Sequence, residues 1–444
     1  MNDANRQNGH MPPHELRDWF ALRSSVLPKD LVISGQSLKY FRGGIAVAVC
    51  TTEDGDLEAL ASAFESSSFP ELSSVRRTHG EVKLITRLED EEYHLMIRSA
   101  DHLAAMHTIG IDRLTLPLDA ARGWQGSPED LADLQAGVLR WLRPRSAMME
   151  DAFRLGAFAA MLDFDPHADT MTALREACRA NDAADLDKHF LRKQFQKLVL
   201  GRRPSRGFEV LREIAALDRL LPELAAGLGL AQNRYHRHDI YYHSIYACDA
   251  AERDIALRLA ALFHDLGKVD TRKEHANGEA SFHNHEIVST RHTENIMRRL
   301  AFPGQLKKRV KFLVRNHMFH YTDAWSDRAV RRFMKRVSME QLEDLISLRL
   351  ADRKGSGKRS ELPRAIKTLI RHIQQIKARE AELKIKDLAI DGHRLQAMGV
   401  TPGPSMGVLL KDLLEAVKAE RLPNEAAALE DEVRRRMEPA VAAP

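Results

Sequence analysis

Ala261-Leu-Phe-His-Asp-Leu-Gly-Lys268 sets a histidine and an aspartate side by side at the end of an apolar segment. Ile255, Leu259, Leu262, Phe263 and Leu266 recur at helical spacing, which predicts one buried face, and Gly267 supplies a stop. His264 and Asp265 therefore belong to a rigid, mostly buried segment, where an unpaired carboxylate is costly. A metal ion is the natural partner for such a pair.

Working outward, His243 lies on a predicted helix beginning near Tyr241. His285, His317 and Asp352 follow, each on a predicted helix or at its end. Imidazole and carboxylate ligands without thiolates suit a divalent ion such as Mn, Ni, Co, Fe, Mg or Zn. His243, His264, Asp265 and Asp352 can hold one ion, while His285 and His317 hold a second or contact a phosphate. An ion placed there lowers the pKa of its bound water and neutralises charge on a phosphoryl oxygen. Lys268, one turn beyond His264, is placed to steady a phosphate. With 20 histidines in the chain, a single one is ordinarily a surface or satisfied core residue. His275, His283, His292 and His320 are read that way. The ordered set differs, because five segments each supply the right residue type.

The 444 residues exceed one ordinary core, so two to four domains are expected. Plentiful charge, few aromatics and recurring Ala/Leu/Glu/Arg stretches predict an α+β, mostly α-helical chain. A net charge of +4 is modest, so any polyanion site must be a local patch. Cys50, Cys178 and Cys248 form no CxxC pair, which argues against a disulfide framework and suits a reducing cytoplasm. The N-terminus lacks an apolar signal core and no run reaches membrane-spanning length, so a cytoplasmic protein with no membrane partner is expected.

Residues 1–28 read as a flexible start and 29–120 as a small α/β head. The head holds a strand at Ile45–Cys50 and a helix at Leu57–Phe64. A hairpin of Val82–Thr86 and Tyr93–Ile97 turns at Glu89-Asp90-Glu91. Residues 121–225 read as a helical neck, with helices at 149–162, 171–181, 185–200 and 208–221. The His/Asp cluster falls in a helical block, 226–360, that ends in the linker-like run Arg353–Ser360. The tail, 361–444, has a long polar helix and a turn at Pro402-Gly-Pro404. An amphipathic helix follows, with Met406, Leu409, Leu410, Leu413 and Val417 on one face.

Tyr242-His-Ser, Phe263-His-Asp-Leu-Gly-Lys268, Phe282-His-Asn-His-Glu286, Arg315-Asn-His317 and Leu350-Ala-Asp352 together resemble the HD phosphohydrolase domain. More narrowly, they resemble the HD domain fused to bacterial tRNA nucleotidyltransferases (CCA-adding) and poly(A) polymerases. Glu129–Arg140, Glu150-Asp-Ala-Phe-Arg154 and Gln194-Phe-Gln-Lys-Leu198 are similar to the segments that follow that family's catalytic head. Lys386–Gly392, Pro402-Gly-Pro404 and Pro423-Asn-Glu425 are similar to its C-terminal segment.

The head departs from the family pattern. Such polymerases hold two metal ions with three carboxylates, two of them spaced as DxD on one strand so that both face the same way. In the matching strand, Ile45-Ala46-Val47-Ala48-Val49, both positions are alanine. The third acid position falls at Tyr93, with Glu91 and Glu92 beside it. The GGxxRD stretch is replaced by Ser34-Gly-Gln-Ser-Leu-Lys39, and the later Arg-Asp pair by Asp112-Arg113. Alanine binds no metal, so the resemblance implies a degenerate head that lacks nucleotidyl transfer.

In the neck, Asp151 and Arg154 stand at i and i+3, on one helical face. The resemblance makes them the pair that reads the incoming base; the residues alone equally describe an intrahelical salt bridge. Two basic runs flank the metal segments: Arg298, Arg299, Lys307, Lys308, Arg309, Lys311 and Arg315, then Arg328, Arg331, Arg332, Lys335 and Arg336. Beside a phosphate-handling site they suit sequence-independent contact with an RNA backbone.

The expectation is thus a metal-dependent HD-type phosphohydrolase acting on RNA ends or nucleotides, with Asp265, Lys268, His285 and His317 in catalytic roles. Its partners would be tRNA, RNA ends or nucleotides. The alternatives are an active CCA-adding or poly(A) nucleotidyltransferase in tRNA 3′-end processing, and a non-catalytic RNA-binding protein.

Overall fold

The computed structural model describes residues 32–34, 47–52, 57–66, 72–78, 81–88, 91–99, 109–117, 124–142, 148–180, 186–232, 236–276, 280–319, 321–322, 324–357, 364–382, 384–419 and 421–437. These fall into two compact units, drawn from 1–317 with 347–360 and from 318–346 with 361–444. The architecture is α+β and mostly helical, as the composition predicts.

In the first unit, six strands form one sheet: β1 (Val32–Ser34), β2 (Val47–Thr52), β3 (Leu72–Thr78), β4 (Glu81–Leu88), β5 (Glu91–Ser99) and β6 (Thr115–Pro117). Their order is β3-β4-β5-β2-β1-β6, antiparallel throughout except for the parallel pair β2–β5. The predicted hairpin is β4–β5, in a register that sets Val82 opposite Ile97 and Thr86 opposite Tyr93. Alternation along these strands sends Val82, Leu84, Leu95 and Ile97 into the core, where α1 (Leu57–Ser66) adds Leu60, Ala61 and Phe64. Ala46, Ser34-Gly-Gln-Ser-Leu-Lys39 beyond Ser34, and Glu89-Asp90 lie outside the described residues, as does the side chain of Ala48.

The helices of more than four residues that follow are α2 (Pro128–Ala136), α3 (Met149–Leu162), α4 (Ala168–Ala180), α5 (Lys188–Val199) and α6 (Pro204–Glu213). Next come α7 (Ile240–Ala250), α8 (Ile255–Phe263), α9 (His285–Arg299), α10 (Gly304–Asn316), α11 (Asp327–Arg336) and α12 (Met339–Gly355). The last are α13 (Arg364–Glu382), α14 (Gly392–Ala397), α15 (Pro404–Lys418) and α16 (Ala426–Met437). The helix expected at 208–221 begins earlier and breaks sooner. Pro204 at its first turn pre-sets the helical φ, and the chain leaves α6 through Ala215 at φ 61°.

Two contacts frame the region around Asp265. Arg258, buried on α8, donates to the carbonyls of Val199 at 2.8 Å and Gly201 at 2.6 Å, satisfying acceptors at the end of α5. On α12, Gly355 meets Ala247 of α7 so closely that a Cβ would lie 2.6 Å from the Ala247 nitrogen. That approach brings the last turn of α12, with Asp352, against the helix that carries His243.

In the second unit, Leu395, Met406, Leu413, Leu429 and Val433 form a core to which Leu409, Leu410 and Val417 of α15 add their partly buried side chains. The amphipathic face read from the sequence is the face that packs. Among the described residues, no helix is long and apolar enough to cross a membrane.

Candidate metal centre

Five pieces of chain converge on Asp265. Asp239 starts α7 by accepting from Tyr242 N at 2.7 Å, which places His243 one turn in. Asp254 caps α8 in the same way, and the helix ends at His264. His285 opens α9, His317 follows the last residue of α10, and Asp352 lies in the last turn of α12. His243, His264, Asp265, His285 and His317 are all buried.

The two carboxylate oxygens of Asp265 face different partners. Oδ2 lies 3.1 Å from His243 Nε2 and 3.2 Å from His264 Nε2. Asp352 Oδ1 joins that group, 3.4 Å from His243 Nε2 and 3.6 Å from His264 Nε2. Oδ1 of Asp265 lies 3.3 Å from His285 Nε2 and 3.7 Å from His317 Nε2. One carboxylate thus bridges two sets of nitrogen ligands.

The outer ring nitrogens orient these ligands. His264 Nδ1 bonds the Ala261 carbonyl at 2.8 Å, His285 Nδ1 that of Phe282 at 2.7 Å, and His317 Nδ1 that of Val314 at 2.8 Å. A carbonyl only accepts, so each Nδ1 carries a proton and each Nε2 is left to face the cluster. Two such nitrogens meet at His285 and His317, whose Nε2 atoms are 3.2 Å apart. His243 Nδ1 is buried with no hydrogen-bond partner. Converging ring nitrogens, one of them without a hydrogen-bond partner on its outer side, fit a cation-binding site.

The electrostatics agree. Burial alone would push the Asp265 carboxyl up, but the charges of His264 and Lys268 and bonds from His243 and His264 hold it well below the usual range. Burial likewise opposes ionisation of Asp352, and hydrogen bonds from His243 and His264 outweigh it. Burial disfavours the His264 imidazolium, yet Asp265 and Asp352 carry its pKa up to about 10. A proton there stands in for the positive charge that an ion would supply. At His317, burial and the neighbouring His264 charge lower the pKa to about 3, leaving the neutral, ligating form.

Lys268 is buried too. Its ammonium lies 2.6 Å from Asp265 Oδ2, donates to Gln232 Oε1 at 2.7 Å and sits 5.5 Å from the Phe282 ring centroid. It neutralises the bridging carboxylate rather than standing free for a phosphate. His236, which the sequence reading passes over, joins the cluster: its ring nitrogen groups with the ligand atoms of His243 and Asp352. Its sequence signal is faint, a histidine in a polar loop seven residues before His243. Burial, then the Lys268 and His243 charges, lower its pKa to about 3. His275 bonds Ser281, His292 bonds Asp270, His283 is exposed, and His320 lies outside the described residues.

In the neck, Arg154 Nη1 donates to Asp151 Oδ1 at 2.6 Å while Asp151 Oδ2 accepts from Met148 N at 3.1 Å. The Arg154 guanidinium lies 5.0 Å from the Phe190 ring centroid on α5. Of the first basic run, Arg299, Arg309, Lys311 and Arg315 pair with Glu223, Asp254, Glu294 and Glu286. In the second run, Arg328, Arg332, Lys335 and Arg336 of α11 are exposed.

A family model described as tRNA nucleotidyltransferase domain 2 matches residues 283–433. The A-adding tRNA nucleotidyltransferase of Deinococcus radiodurans is 33% identical over 303 residues, 64% of this chain and 68% of that protein. The chain belongs to the tRNA nucleotidyltransferase family. The CC-adding tRNA nucleotidyltransferase of Thermus thermophilus is 31% identical over 267 residues, 58% of this chain and 60% of that protein. The multifunctional CCA protein of Neisseria meningitidis is 28% identical over 244 residues, and the match spans little more than half of it, 57%. A solved structure of the Bacillus stearothermophilus CCA-adding enzyme in complex with CTP shares the fold. Its TM-score is 0.56 at 16% identity, covering 96% of this chain and 100% of that one.

These relatives overturn two expectations drawn from the sequence. The leading reading as an HD-type phosphohydrolase gives way, because the similar proteins include an A-adding and a CC-adding tRNA nucleotidyltransferase. The expectation that nucleotidyl transfer is absent gives way with it. Physically, a His/Asp cluster fixes the capacity to hold a cation but not the reaction, which the rest of the chain decides. Ala46 and the side chain of Ala48, the two positions that departed from the carboxylate pattern, lie outside the described residues.

Proposed function

We propose that this chain acts on the 3′ end of tRNA as a nucleotidyl-transferring enzyme of the A-adding, CC-adding or CCA-adding kind, working in the cytoplasm. The observation that carries this reading is the 33% identity over 303 residues to the A-adding tRNA nucleotidyltransferase of Deinococcus radiodurans. Head and neck would take the nucleotide. There the Asp151 carboxylate and Arg154 guanidinium, an acceptor beside a donor, have the chemistry to read a base edge, with Phe190 stacked under the guanidinium.

The cluster would hold divalent metal through His243, His264, Asp265 and Asp352 on one side, and through Asp265, His285 and His317 on the other. A bound ion would supply positive charge for phosphate oxygens and tie the converging helices together. The chain's own residues orient the imidazoles through backbone carbonyls and balance the bridging carboxylate with Lys268.

The test is to incubate purified protein and magnesium with labelled CTP or ATP and tRNA ending before, within or after its first two terminal cytidines. Incorporation into one of these acceptors supports the proposal, and the acceptor identifies the kind. Retention of tRNA with no incorporation under any metal would overturn it and leave binding alone.

A further inference from the structure

We propose that His236 is a further ligand of the ion facing Asp265 Oδ2, so that the two halves of the cluster are unequal. This rests on the reading of the cluster as a metal centre. His236 ends no helix, yet its position is tightly determined. The next residue, Arg237, donates its N–H to the carbonyl of Ser356 at 2.9 Å, just past α12, and Ser356 N in turn donates to the Asp352 carbonyl at 2.9 Å. Gln232 Nε2 donates to the carbonyls of His238 and Asp239, both at 3.3 Å, while Asp239 Oδ2 accepts from Gly229 N at 2.8 Å. The loop is thereby fixed to α7 and α12 at once.

Those constraints set the His236 ring edge-on to the His243 ring, with centroids 4.9 Å apart and planes at 86°. A ring nitrogen of His236 and ligand atoms of His243 and Asp352 all lie within 4.8 Å of one another, the spacing at which one ion touches all three. Gln232, which bonds the carbonyls of His238 and Asp239, also accepts from Lys268, the partner of the bridging carboxylate.

The consequence is asymmetry. His236, His243 and Asp352 form one group and His243, His264 and Asp265 another, so an ion at their shared His243 would draw on five side chains, whereas Asp265, His285 and His317 would give the second ion three. Five nitrogen and oxygen ligands favour a six-coordinate ion such as manganese, iron, cobalt or nickel over tetrahedral zinc. The second ion keeps positions open to water or to a phosphate oxygen. The first is the anchor.

The experiment strips the full-length protein with chelator and titrates it with cobalt(II) and manganese(II). It reads stoichiometry, affinity by chelator competition, and the visible spectrum of bound cobalt. Wild type is expected to show a tight and a weaker class of ion. His236→Ala should weaken the tight class by roughly tenfold or more, leave the weaker class in place, and intensify the cobalt bands as a ligand is lost. His236→Asn guards against misfolding, provided its ion-free unfolding midpoint matches wild type, and His292→Ala should behave as wild type. Unchanged affinity and spectrum in both His236 variants would overturn the assignment while leaving the metal centre intact. Failure of wild type to bind either ion would overturn both.

Discussion

Gly267 and His285 touch through their backbones: a Cβ on Gly267 would lie 2.5 Å from the His285 carbonyl oxygen and 2.5 Å from Ser289 N. Gly267 N donates to Ser289 Oγ at 2.9 Å in the same contact. This approach sets how far α9 stands from Asp265. Gly267→Ala must push α9 away, which costs about 1–3 kcal/mol as an overpacked contact. The displaced element carries His285, so the ion between Asp265, His285 and His317 should weaken more than the one beside His243. Urea unfolding of the ion-free protein checks the first effect, and a metal titration checks the second.

Asp265 and Lys268 make a buried pair whose halves depend on each other. Asp265→Asn keeps the shape but leaves the ammonium without its counter-charge, and breaking such a pair typically costs about 3–5 kcal/mol. Asp265→Asn combined with Lys268→Met should recover much of the loss, because no buried charge remains. Metal binding should fail in both variants, since the bridging oxygen pair is gone. A double-mutant cycle in denaturant, run with chelator present, separates the stability effect from the metal effect. Independent, additive losses would contradict the pairing.

The helices and the grouping of histidines and aspartates were legible because both obey local rules. Asp239 and Asp254 are helix caps, Leu259 and Leu262 mark a buried face, and His264-Asp265 stands where the apolar run ends. That His285, His317 and Asp352 gather with His264 and Asp265 could be expected from their order and residue type. His236 could not, because its place depends on a loop stitched to Ser356, a contact between positions 119 residues apart in the chain. The internal pairing of Lys268 was hidden for a similar reason: sequence shows an ammonium near an aspartate but not that water is excluded from both. The short strands β1 and β6 gave no signal, since three residues are too few for alternation. The reaction was misread for another reason. A His/Asp cluster states what it can bind, and two alanines on one strand do not decide the reaction of the whole chain.

Asp151 serves two purposes that one substitution separates. Its Oδ2 accepts from Met148 N at the start of α3, and its Oδ1 holds Arg154. Asp151→Asn retains an acceptor for the cap, so the melting temperature should move little. Arg154 loses its charge partner, so discrimination between CTP and ATP should fall, by roughly tenfold if one charge-assisted bond is lost. The ratio of the two incorporation rates is the measurement. A lower melting temperature with unchanged discrimination would reduce the pair to a structural salt bridge.

The cysteines predict an alkaline limit to stability. Burial pushes the Cys50 thiol up to about 12 and raises that of Cys248 further. The unfolded chain gives up these protons near the ordinary value of 9.0, so between 9.0 and 12 the folded state binds more protons than the unfolded one. Stability is therefore fully present below pH 9 and declines as the pH rises through that window. Native protein at pH 8 should react slowly with iodoacetamide at both positions and quickly once denatured. Cys50→Ala and Cys248→Ala should flatten the alkaline slope of the unfolding free energy.

The exposed basic residues of α11 make the last case. Arg328, Arg332, Lys335 and Arg336 follow helical spacing along one side, while Val330 and Phe333 of the same helix are buried. A rigid stripe of charge turned to solvent is suited to phosphate contacts, which carry no sequence information and are lost as salt rises. The first basic run is poorer material, because Arg299, Arg309, Lys311 and Arg315 already pair with acids. Arg328→Glu, Arg332→Glu and Lys335→Glu together should weaken tRNA binding and flatten its dependence on salt, by about one unit of log–log slope for each phosphate contact removed. Reversing Arg309 and Lys311 should instead lower stability and alter the salt slope little. Filter binding of tRNA across a salt series measures both. Equal slopes in wild type and the α11 variant would place the RNA elsewhere on the molecule.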